Sequence, residues 1–475
     1  MTGIGLIIVF LISIVIMILA ISKLKLHPFL AIMGIAVILG FVAGIPIMDQ
    51  VADGEIQQRG IVWVVGQGFQ TIFAGIGIVI ILGALIGSIL EATGGAFKIA
   101  DMIIRLLGKA SPTLAVIVMG WVVSIPVFCD SGFVIINPVR RSIVKRTGVS
   151  GVATAVGLGA GLYTSHVLVP LTPGPLAAAD ILGMGDFLIT VMWVSVIVSI
   201  PSLIAVYFWS VWRGKKDQSE EDLAIQQDET VKSYDELVKE FGGLPNGFLS
   251  LAPILMPILF MAIGSIAGIG AVADFFRLEG TAFTVLRFLG TPIVALTIGF
   301  LFAVLLLAIT KKMEKFNGLT NDTLKMLGPI LFITAAGATL GRIITESDMM
   351  PFIEANAGAL VWMGLFFPFF VSAIIKTAQG SSTVAMIVTA NIMVPLMASM
   401  GFTSHIAIAL TVMAIGAGSM MASHANDSYF WVVNNLSGQT PQQGYKNWTS
   451  MTVVQGFACM AGIFAFYLIY SLIAG

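Results

Sequence analysis

The chain has 475 residues, of which 57% are hydrophobic and only 10% are charged, and its formal net charge is −1. Because several apolar runs exceed the roughly 18 residues that a membrane-spanning helix needs, the composition predicts an all-α polytopic membrane protein. The basic residues lie in small clusters between apolar runs, so the chain lacks the electrostatic footprint of a nucleic-acid-binding protein.

Basic clusters are expected at the cytoplasmic ends of spans, and they order the first half of the chain. Residues 4–22 precede Lys23 and Lys25 and follow no basic residue. This pattern predicts a first span with its N-terminus outside rather than a cleavable signal peptide. Further spans are predicted at residues 28–46, 68–90, 151–170 and 187–212.

The segment at residues 112–139 is apolar, yet basic residues flank both of its ends. A segment that starts and finishes on one side of the membrane is not a single span, so a re-entrant hairpin is predicted, with its tip at residues 129–132. Irregular backbone at membrane depth is tolerated only inside protein or beside a watery cavity. The hairpin tip therefore predicts a cavity.

A long polar stretch at residues 213–247 follows the first membrane repeat, residues 1–212, and is predicted to be a cytoplasmic linker. The second repeat, residues 248–475, has predicted spans at 249–273, 283–310, 327–344 and 451–473. A second hairpin is predicted at residues 358–400, with its tip at 376–382.

Two phrases occur twice in the chain and indicate an internal duplication. GAGLYTSH at residues 159–166 is similar to GAGSMMASH at 416–424, and GALIGSILEATG at 83–94 is similar to GATLGRIITESD at 337–348. About five predicted spans and one hairpin in each half give the halves opposite orientations, because that number of spans is odd. We therefore predict two inverted repeats with interrupted helices at residues 151–175 and 404–434, a pattern typical of secondary transporters.

Residues that interrupt the apolar sequence form the candidate site. Pro170, Pro173 and Pro175 must unwind the helix that follows the first phrase, because proline removes a donor and clashes with a preceding carbonyl. Candidate substrate-binding residues offer polar side chains, or backbone amides at a helix start: Ser131, Gly132, Thr164, Ser165, Thr172, Gln379, Gly380, Ser381, Ser382, Ser423, Asn426, Asp427 and Ser428.

Three titratable residues are the candidate proton carriers: Asp130, His166 and His424. A carboxylate at the bilayer centre costs roughly 2.5 kcal/mol or more, so an intramembrane aspartate usually faces a cavity. The alternatives are a helix cap for Asp130 and interhelical hydrogen bonds for the two histidines. Cys129 and Cys459 match neither a disulfide framework nor a metal-ligand spacing, and no metal or cofactor is predicted.

The motifs resemble those of the gluconate permease (GntP) family, within the ion-transporter superfamily of carboxylate carriers. The most specific matches are PVFCDSGFVIINP from Pro126, SHVLVPLTPGPLAAADILG from Ser165 and GLPNGFLSLAPILMPI from Gly243. The resemblance implies proton-coupled uptake of gluconate or a related sugar acid through the bacterial inner membrane. By superfamily analogy it also implies a scaffold domain, a transport domain that carries both hairpins, an elevator motion and a homodimer.

Other functions compete with this hypothesis. The same fold carries D-serine and other small hydroxy acids in related proteins, and sodium coupling is an alternative to proton coupling. A passive channel is a further alternative. An intramembrane hydrolase is disfavoured because Ser165 and His166 are sequence neighbours whose side chains diverge on a helix.

Overall fold

A computed structural model describes residues 4–108, 111–226, 236, 239, 243–267, 280–347 and 363–474. Within these ranges helices dominate, and the only sheet is a two-stranded hairpin. The predicted all-α polytopic class is therefore confirmed. Parts of the predicted linker and of the span at 249–273, and the beginning of the second predicted hairpin, lie outside the described residues.

Helices and one small sheet alternate along the first half of the chain. The elements are α1 (Ile4–Ser22), α2 (Pro28–Val42), β1 (Gln50–Ala52), β2 (Glu55–Gln58), α3 (Ile61–Ile72), α4 (Ile78–Thr93), α5 (Gly95–Leu107), α6 (Pro112–Val123), α7 (Cys129–Thr147), α8 (Gly151–Leu168), α9 (Pro173–Ile181), α10 (Leu188–Gly214) and α11 (Glu220–Gln226). A π-helical turn, Phe73–Gly77, joins α3 to α4.

The described part of the second half is built from helices. They are α12 (Gly247–Ala267), α13 (Gly280–Leu289), α14 (Pro292–Ile309), α15 (Phe316–Thr345), α16 (Phe366–Gln379), α17 (Ser382–Met393), α18 (His405–Ser419), α19 (Ser428–Leu436), α20 (Pro441–Gly444) and α21 (Ser450–Ala474). A second π-helical turn, Tyr445–Thr449, precedes α21.

Six helical segments in the described ranges are long and apolar enough to cross a membrane. The bent pair α3 and α4 makes a seventh if it is counted as one span. Shorter apolar helices include α6, α16, α17 and α18. Helices too short for a full crossing fit the broken and re-entrant elements that the sequence predicts, but the span count of each repeat and the repeat boundaries stay predictions.

The order of elements repeats between the halves. In each, two helices (α6 and α7; α16 and α17) precede an interrupted helix (α8 and α9; α18 and α19) and a long helix (α10; α21). We call the first pairs hairpin 1 and hairpin 2. The second segment of each interrupted helix packs on the hairpin of the other repeat. Helix α9 packs on α17 of hairpin 2, and α19 packs on α7 of hairpin 1. The two repeats therefore share one core.

Glycines allow each hairpin to lie close to its own interrupted helix. A Cβ at Gly161 of α8 would overlap the Ile117 carbonyl of α6, and a Cβ at Gly418 of α18 would overlap the Phe369 carbonyl of α16. Both glycines belong to the small-residue runs around the repeated phrases. The phrases thus encode close helix packing at matching places in the two repeats.

The first part of the predicted linker binds the membrane-embedded helices. Glu221 of α11 pairs with Arg140, at 2.5 Å, and with Arg141, at 2.9 Å, both on α7. Asp222 accepts a hydrogen bond of 2.5 Å from the backbone N–H of Gly151 at the start of α8. These contacts connect the polar segment to hairpin 1.

The loop between α2 and α3 is closed by hydrogen bonds to Asp49. The backbone N–H of Gly60 and the Arg59 guanidinium donate to Asp49 at 2.6 and 2.9 Å. These two donors hold the pKa of the Asp49 carboxyl below its usual value. The bonds close the loop that carries β1 and β2.

Candidate functional site

A cavity of about 490 Å³ lies where both hairpin tips meet the breaks of both interrupted helices. Side chains of α2 and α15 complete its wall. Its lining consists of Pro28, Phe128, Cys129, Asp130, Tyr163, His166, Pro329, Ile330, Ile333, Gln379, Gly380, Ser381, Ser382, Thr383, Val384, Ile387, Asn426, Asp427, Ser428 and Tyr429. Residues almost 300 positions apart in sequence therefore share one space.

Many of the predicted site residues line this cavity. They are Asp130, His166, Gln379, Gly380, Ser381, Ser382, Asn426, Asp427 and Ser428. The predicted residues that do not line it are Ser131, Gly132, Thr164, Ser165, Thr172, Ser423 and His424. The functional roles of both groups stay predictions, and the contacts of each group are described below.

The predicted polar residues of α8 and its break are engaged in the protein interior. Thr164 donates to the Ala160 carbonyl at 2.8 Å and accepts a bond of 2.6 Å from Gln455. Ser165 donates to the Leu162 carbonyl at 3.3 Å. Thr172 bridges the break by donating to the carbonyl of His166 at 2.6 Å. These contacts favour structural roles, because each hydroxyl is buried and already bonded.

The tip of hairpin 1 presents Asp130 to the cavity. Helix α7 begins at Cys129, and its N-cap residue, Phe128, supplies no side-chain bond to the first amides. The Asp130 carboxylate accepts only long contacts, from the Cys129 thiol at 3.8 Å and the Ser428 hydroxyl at 3.5 Å. It has no ion pair with any residue that the structure describes.

Two other predicted residues of hairpin 1 contact neighbouring helices and do not line the cavity. The Ser131 side chain interacts with the Glu91 carboxylate of α4. Gly132 lies against Leu162, where a Cβ would come within 2.7 Å of the leucine side chain. Both contacts anchor the hairpin to neighbouring helices.

His166 is the titratable group that α8 contributes to the cavity wall. Its side chain is buried, and its Nδ1 atom has no hydrogen-bond partner among the described residues. Its ring centroid lies 5.7 Å from that of Phe128 at the tip of hairpin 1. An unpartnered buried imidazole nitrogen beside a cavity is available to a ligand or a proton.

The tip of hairpin 2 is a tight turn at Gly380. This residue has φ +91°, and a Cβ here would overlap the Asn426 carbonyl. Ser381 caps α17 by accepting a bond of 3.3 Å from the Val384 N–H, and the Gln379 side chain donates to the Ser381 carbonyl. Glycine is needed here because its missing Cβ permits both the backbone angle and the close approach.

A buried ion pair ties hairpin 2 to the break between α18 and α19. The Lys376 ammonium lies 2.6 Å from Asp427 Oδ2, and the two side chains are 1% and 7% exposed. Lys376 also donates to the Gly380 carbonyl at 2.5 Å. Asp427 accepts two further bonds, from the Ser423 hydroxyl at 2.5 Å and the Tyr429 N–H at 3.0 Å.

Two more predicted residues brace the end of α16. His424 Nε2 donates to the Thr377 carbonyl at 3.1 Å, and Asn426 donates to the same oxygen at 2.8 Å. A carbonyl is an acceptor, so the His424 tautomer must carry its proton on Nε2. His424 thus has a structural contact that His166, its counterpart in the repeated phrase, lacks.

Aromatic hydroxyls complete the wall. The Tyr163 hydroxyl lies 2.6 Å from the Ser382 hydroxyl, and its ring lies 5.8 Å from the Lys376 ammonium. Tyr429 donates to the Gly159 carbonyl at 3.0 Å. These bonds connect the start of α17 and the start of α19 to α8.

Lys376 is the main functional candidate that sequence reasoning missed. The hairpin-tip prediction contained it, but it was not assigned to the site. Its signal was available, because it is the one charged residue in the apolar helix Phe366–Gln379, and an intramembrane charge implies a partner. Its partner, Asp427, was predicted to bind the substrate.

No group of three or more His, Cys, Asp or Glu side chains in the described ranges is placed to hold a metal ion. The side chains that line the cavity offer hydrogen-bond donors and acceptors, carboxylates and an imidazole. Secondary transporters place substrate sites where the interrupted helices of two repeats meet, and this cavity lies at such a place. By fold and site, the chain is a helical membrane permease.

The chain belongs to the GntP permease family, because the model described as "GntP family permease" matches residues 5–469. It is 31% identical over 433 residues to an uncharacterized permease of Haemophilus influenzae, with 90% of this chain and 85% of that protein covered. It is 28% identical over 454 residues to the gluconate permease of Zymomonas mobilis, with 94% of each covered.

A solved structure shares the fold. The YdaH transporter of Alcanivorax borkumensis aligns with a TM-score of 0.64 at 15% identity, over 94% of this chain and 99% of that chain. The family and the apolar helices make this chain a multi-pass transporter of the cell membrane and not an enzyme.

Proposed function

We propose that this permease is a proton-coupled symporter that takes up gluconate or a related sugar acid through the bacterial inner membrane. The name of the Zymomonas relative supports the substrate class. The single observation that carries the proposal is the cavity, in which an aspartate that has no ion pair among the described residues faces the starts of helices from both repeats.

Helix starts in the cavity wall suit a substrate carboxylate. Helix α7 begins at Cys129, α17 at Ser382 and α19 at Ser428, and all three residues line the cavity. The N-terminus of a helix carries a partial positive charge and free amides, so it favours an anion. The hydroxyls of Ser381 and Ser428 and the amides of Gln379 and Asn426 are suited to polyol hydroxyls.

Charge balance supports coupling to protons. With Asp130 and Asp427 ionised, Lys376 protonated and His166 neutral, these four groups carry a net charge of −1. A monoanionic substrate would make it −2 in a poorly solvated place, which is costly. A proton taken up by Asp130 offsets the added charge, and His166 is a second acceptor.

The repeats suggest how access alternates. In the elevator mechanism we propose, hairpins 1 and 2 and the interrupted helices move together as the transport domain, while other helices form a scaffold. The boundaries 1–212, 213–247 and 248–475 define the two inverted repeats and the linker in this proposal. The packing of α9 and α19 on the hairpins of the opposite repeats supports movement as a single body. In this proposal, dimerisation of two chains would keep the scaffold in place.

Uptake by the purified full-length chain in proteoliposomes tests the coupling. With an acidic exterior, labelled gluconate is expected to accumulate above its equilibrium ratio, and a protonophore should abolish the accumulation. Protein-free liposomes provide the background. Uptake that only equilibrates would indicate a passive channel, and accumulation driven by a sodium gradient alone would replace proton coupling with sodium coupling.

Competition defines the substrate class in the same vesicles. Unlabelled sugar acids are expected to inhibit gluconate uptake more strongly than D-serine does, because the cavity offers many hydroxyl partners. Stronger inhibition by D-serine would assign the chain to the transport of small hydroxy amino acids.

A further inference from the structure

Lys376 lies near the end of α16, just before the tip of hairpin 2, and does not line the cavity. We propose that Lys376 is a positioning residue that holds this tip against the helix break at Asp427 and serves as the counter-ion of Asp427. Asp130 is then the carboxylate that exchanges the coupled proton. This inference rests on the proposed function, because it assigns roles within the same site.

The contacts of Lys376 are all with the protein. Its ammonium bonds Asp427 Oδ2 at 2.6 Å and the Gly380 carbonyl at 2.5 Å, and it lies over the Tyr163 ring. Lys376 does not line the cavity, whereas Gly380, Asp427 and Tyr163 do. The side chain therefore acts on the substrate through the groups that it holds.

Both carboxylate oxygens of Asp427 accept hydrogen bonds from the protein. Lys376 and Ser423 donate to its Oδ2, and the Tyr429 N–H donates to its Oδ1. These contacts commit the carboxylate to the Lys376 ammonium and to the start of α19. Protonation would leave the Lys376 charge buried without its counter-ion, which is among the more costly changes in a protein interior.

The surroundings of Asp427 include further titratable groups. Those that interact with it electrostatically from the elements packed around it are Lys376, Asp130, Cys129, Tyr163, His166 and Tyr429. Lys376 supplies the direct cation contact, whereas Asp130 adds a like charge. When two carboxylates lie near one cavity and only one is bonded to a cation, their environments differ, and we expect them to have different roles.

The position of Lys376 also sets the geometry of the hairpin 2 tip. It holds the Gly380 carbonyl, and the next residues, Ser381 and Ser382, form the start of α17 that faces the cavity. Releasing this carbonyl would shift the amides that we assign to the substrate carboxylate. Loss of Lys376 should therefore weaken substrate affinity without changing which group carries the proton.

The test uses two forms of the full-length chain in proteoliposomes. Lys376→Arg retains the cation with a different shape, and the double variant Lys376→Met with Asp427→Asn removes both charges, so that neither is left unpaired. The matched control is Lys325→Met with Asp322→Asn, an exposed pair with atoms 3.8 Å apart. Gluconate counterflow gives KM, and proton-driven accumulation is measured across a range of external pH.

Both site variants are expected to raise KM, by about tenfold for the double variant, because a misplaced binding group costs affinity. Both should retain proton-driven accumulation with the same pH midpoint as the wild type, and the control should change nothing. A double variant that exchanges gluconate but no longer accumulates it would overturn the inference. So would a folded double variant that neither exchanges nor accumulates gluconate.

Lys376→Arg decides the matter if the double variant does not fold, as judged by gel filtration in detergent. An unchanged KM, or a shifted pH midpoint, would then contradict the positioning role. A wild-type chain that does not transport gluconate refutes the proposed substrate and not this inference. The same variants are then measured with whichever compound of the competition panel the wild type accumulates.

Discussion

The two hairpin tips occupy matching places in the repeats, but they are held in different ways. At hairpin 2, a buried lysine bonds a backbone carbonyl of the tip and an aspartate at the opposite helix break. At hairpin 1, Asp130 has only contacts of 3.5 and 3.8 Å and no cation partner among the described residues. In the mechanism that we propose, the two copies of one architecture divide anchoring and proton exchange between them.

The paired histidines show the same division. His424 donates to the end of α16, whereas His166 faces the cavity with an unpartnered nitrogen. The tip held by a lysine and its hydrogen-bonded histidine belong to the second repeat. The carboxylate and the imidazole that have no such partners among the described residues belong to the first. Four substitutions test this difference, in order of decreasing expected effect.

The largest effect is expected for Lys376→Ala alone. It leaves Asp427 buried without its cation, and breaking a buried pair costs about 3–5 kcal/mol. The free energy of unfolding in detergent, from denaturant titration, should fall accordingly. Arg342→Ala, which breaks a largely exposed pair with Glu346, is the control and should cost at most about 1 kcal/mol. Equal losses would refute the anchoring of hairpin 2.

Asp130→Asn is expected to separate coupling from binding. The substitution preserves shape and removes the proton acceptor, so counterflow exchange should continue while proton-driven accumulation falls to the equilibrium ratio. Stability should change little, because the carboxylate has no ion pair among the described residues. Accumulation equal to that of the wild type would remove Asp130 from the proton path and erase the contrast between the tips.

Gly380→Ala tests the shape of the hairpin 2 tip. At φ +91°, alanine is strained by about 1–3 kcal/mol, and its Cβ would overlap the Asn426 carbonyl. KM for gluconate should therefore rise. Gly401→Ala is the matched control, since Gly401 has φ +77° but open space around a Cβ. A similar rise in KM for both variants would attribute the effect to general strain.

The smallest effect on folding is expected for His166→Ala. Since His166 Nδ1 bonds nothing among the described residues, expression should be retained, while the pH dependence of transport should change through loss of a titratable group that lines the cavity. His405→Ala, an exposed histidine stacked on Phe187, is the control. An unchanged pH profile would remove His166 from the proton path.

Much of the architecture could be read from the sequence. The apolar runs and their flanking charges predicted a helical membrane protein, and the prolines at 170, 173 and 175 predicted the break that separates α8 from α9. The repeated phrase located two interrupted helices, because small residues and polar breaks leave local signals. The tip residues Asp130 and Gly380 were identified for the same reason.

Side-chain partners were the part that the sequence left open. Thr164 and Ser165 looked as suitable as Ser428, yet helical periodicity alone does not tell which face of a fully buried helix meets a cavity. Likewise, the sequence alone does not distinguish the surroundings of Asp130 from those of Asp427. Their difference depends on Lys376, which is 51 residues from Asp427 in the chain and 2.6 Å from it in space.

Because hydropathy, proline and glycine act locally, the sequence was sufficient to predict a helical membrane transporter and the places where its helices break, and its motifs were sufficient to predict the family. The folded structure was needed to show that Asp427 is paired with Lys376 and that Asp130 has no ion pair among the described residues. This difference between the two carboxylates depends on the packing of hairpin 2 against the α18–α19 break. In a poorly solvated interior, the groups within a few ångströms determine how a charged side chain is stabilised.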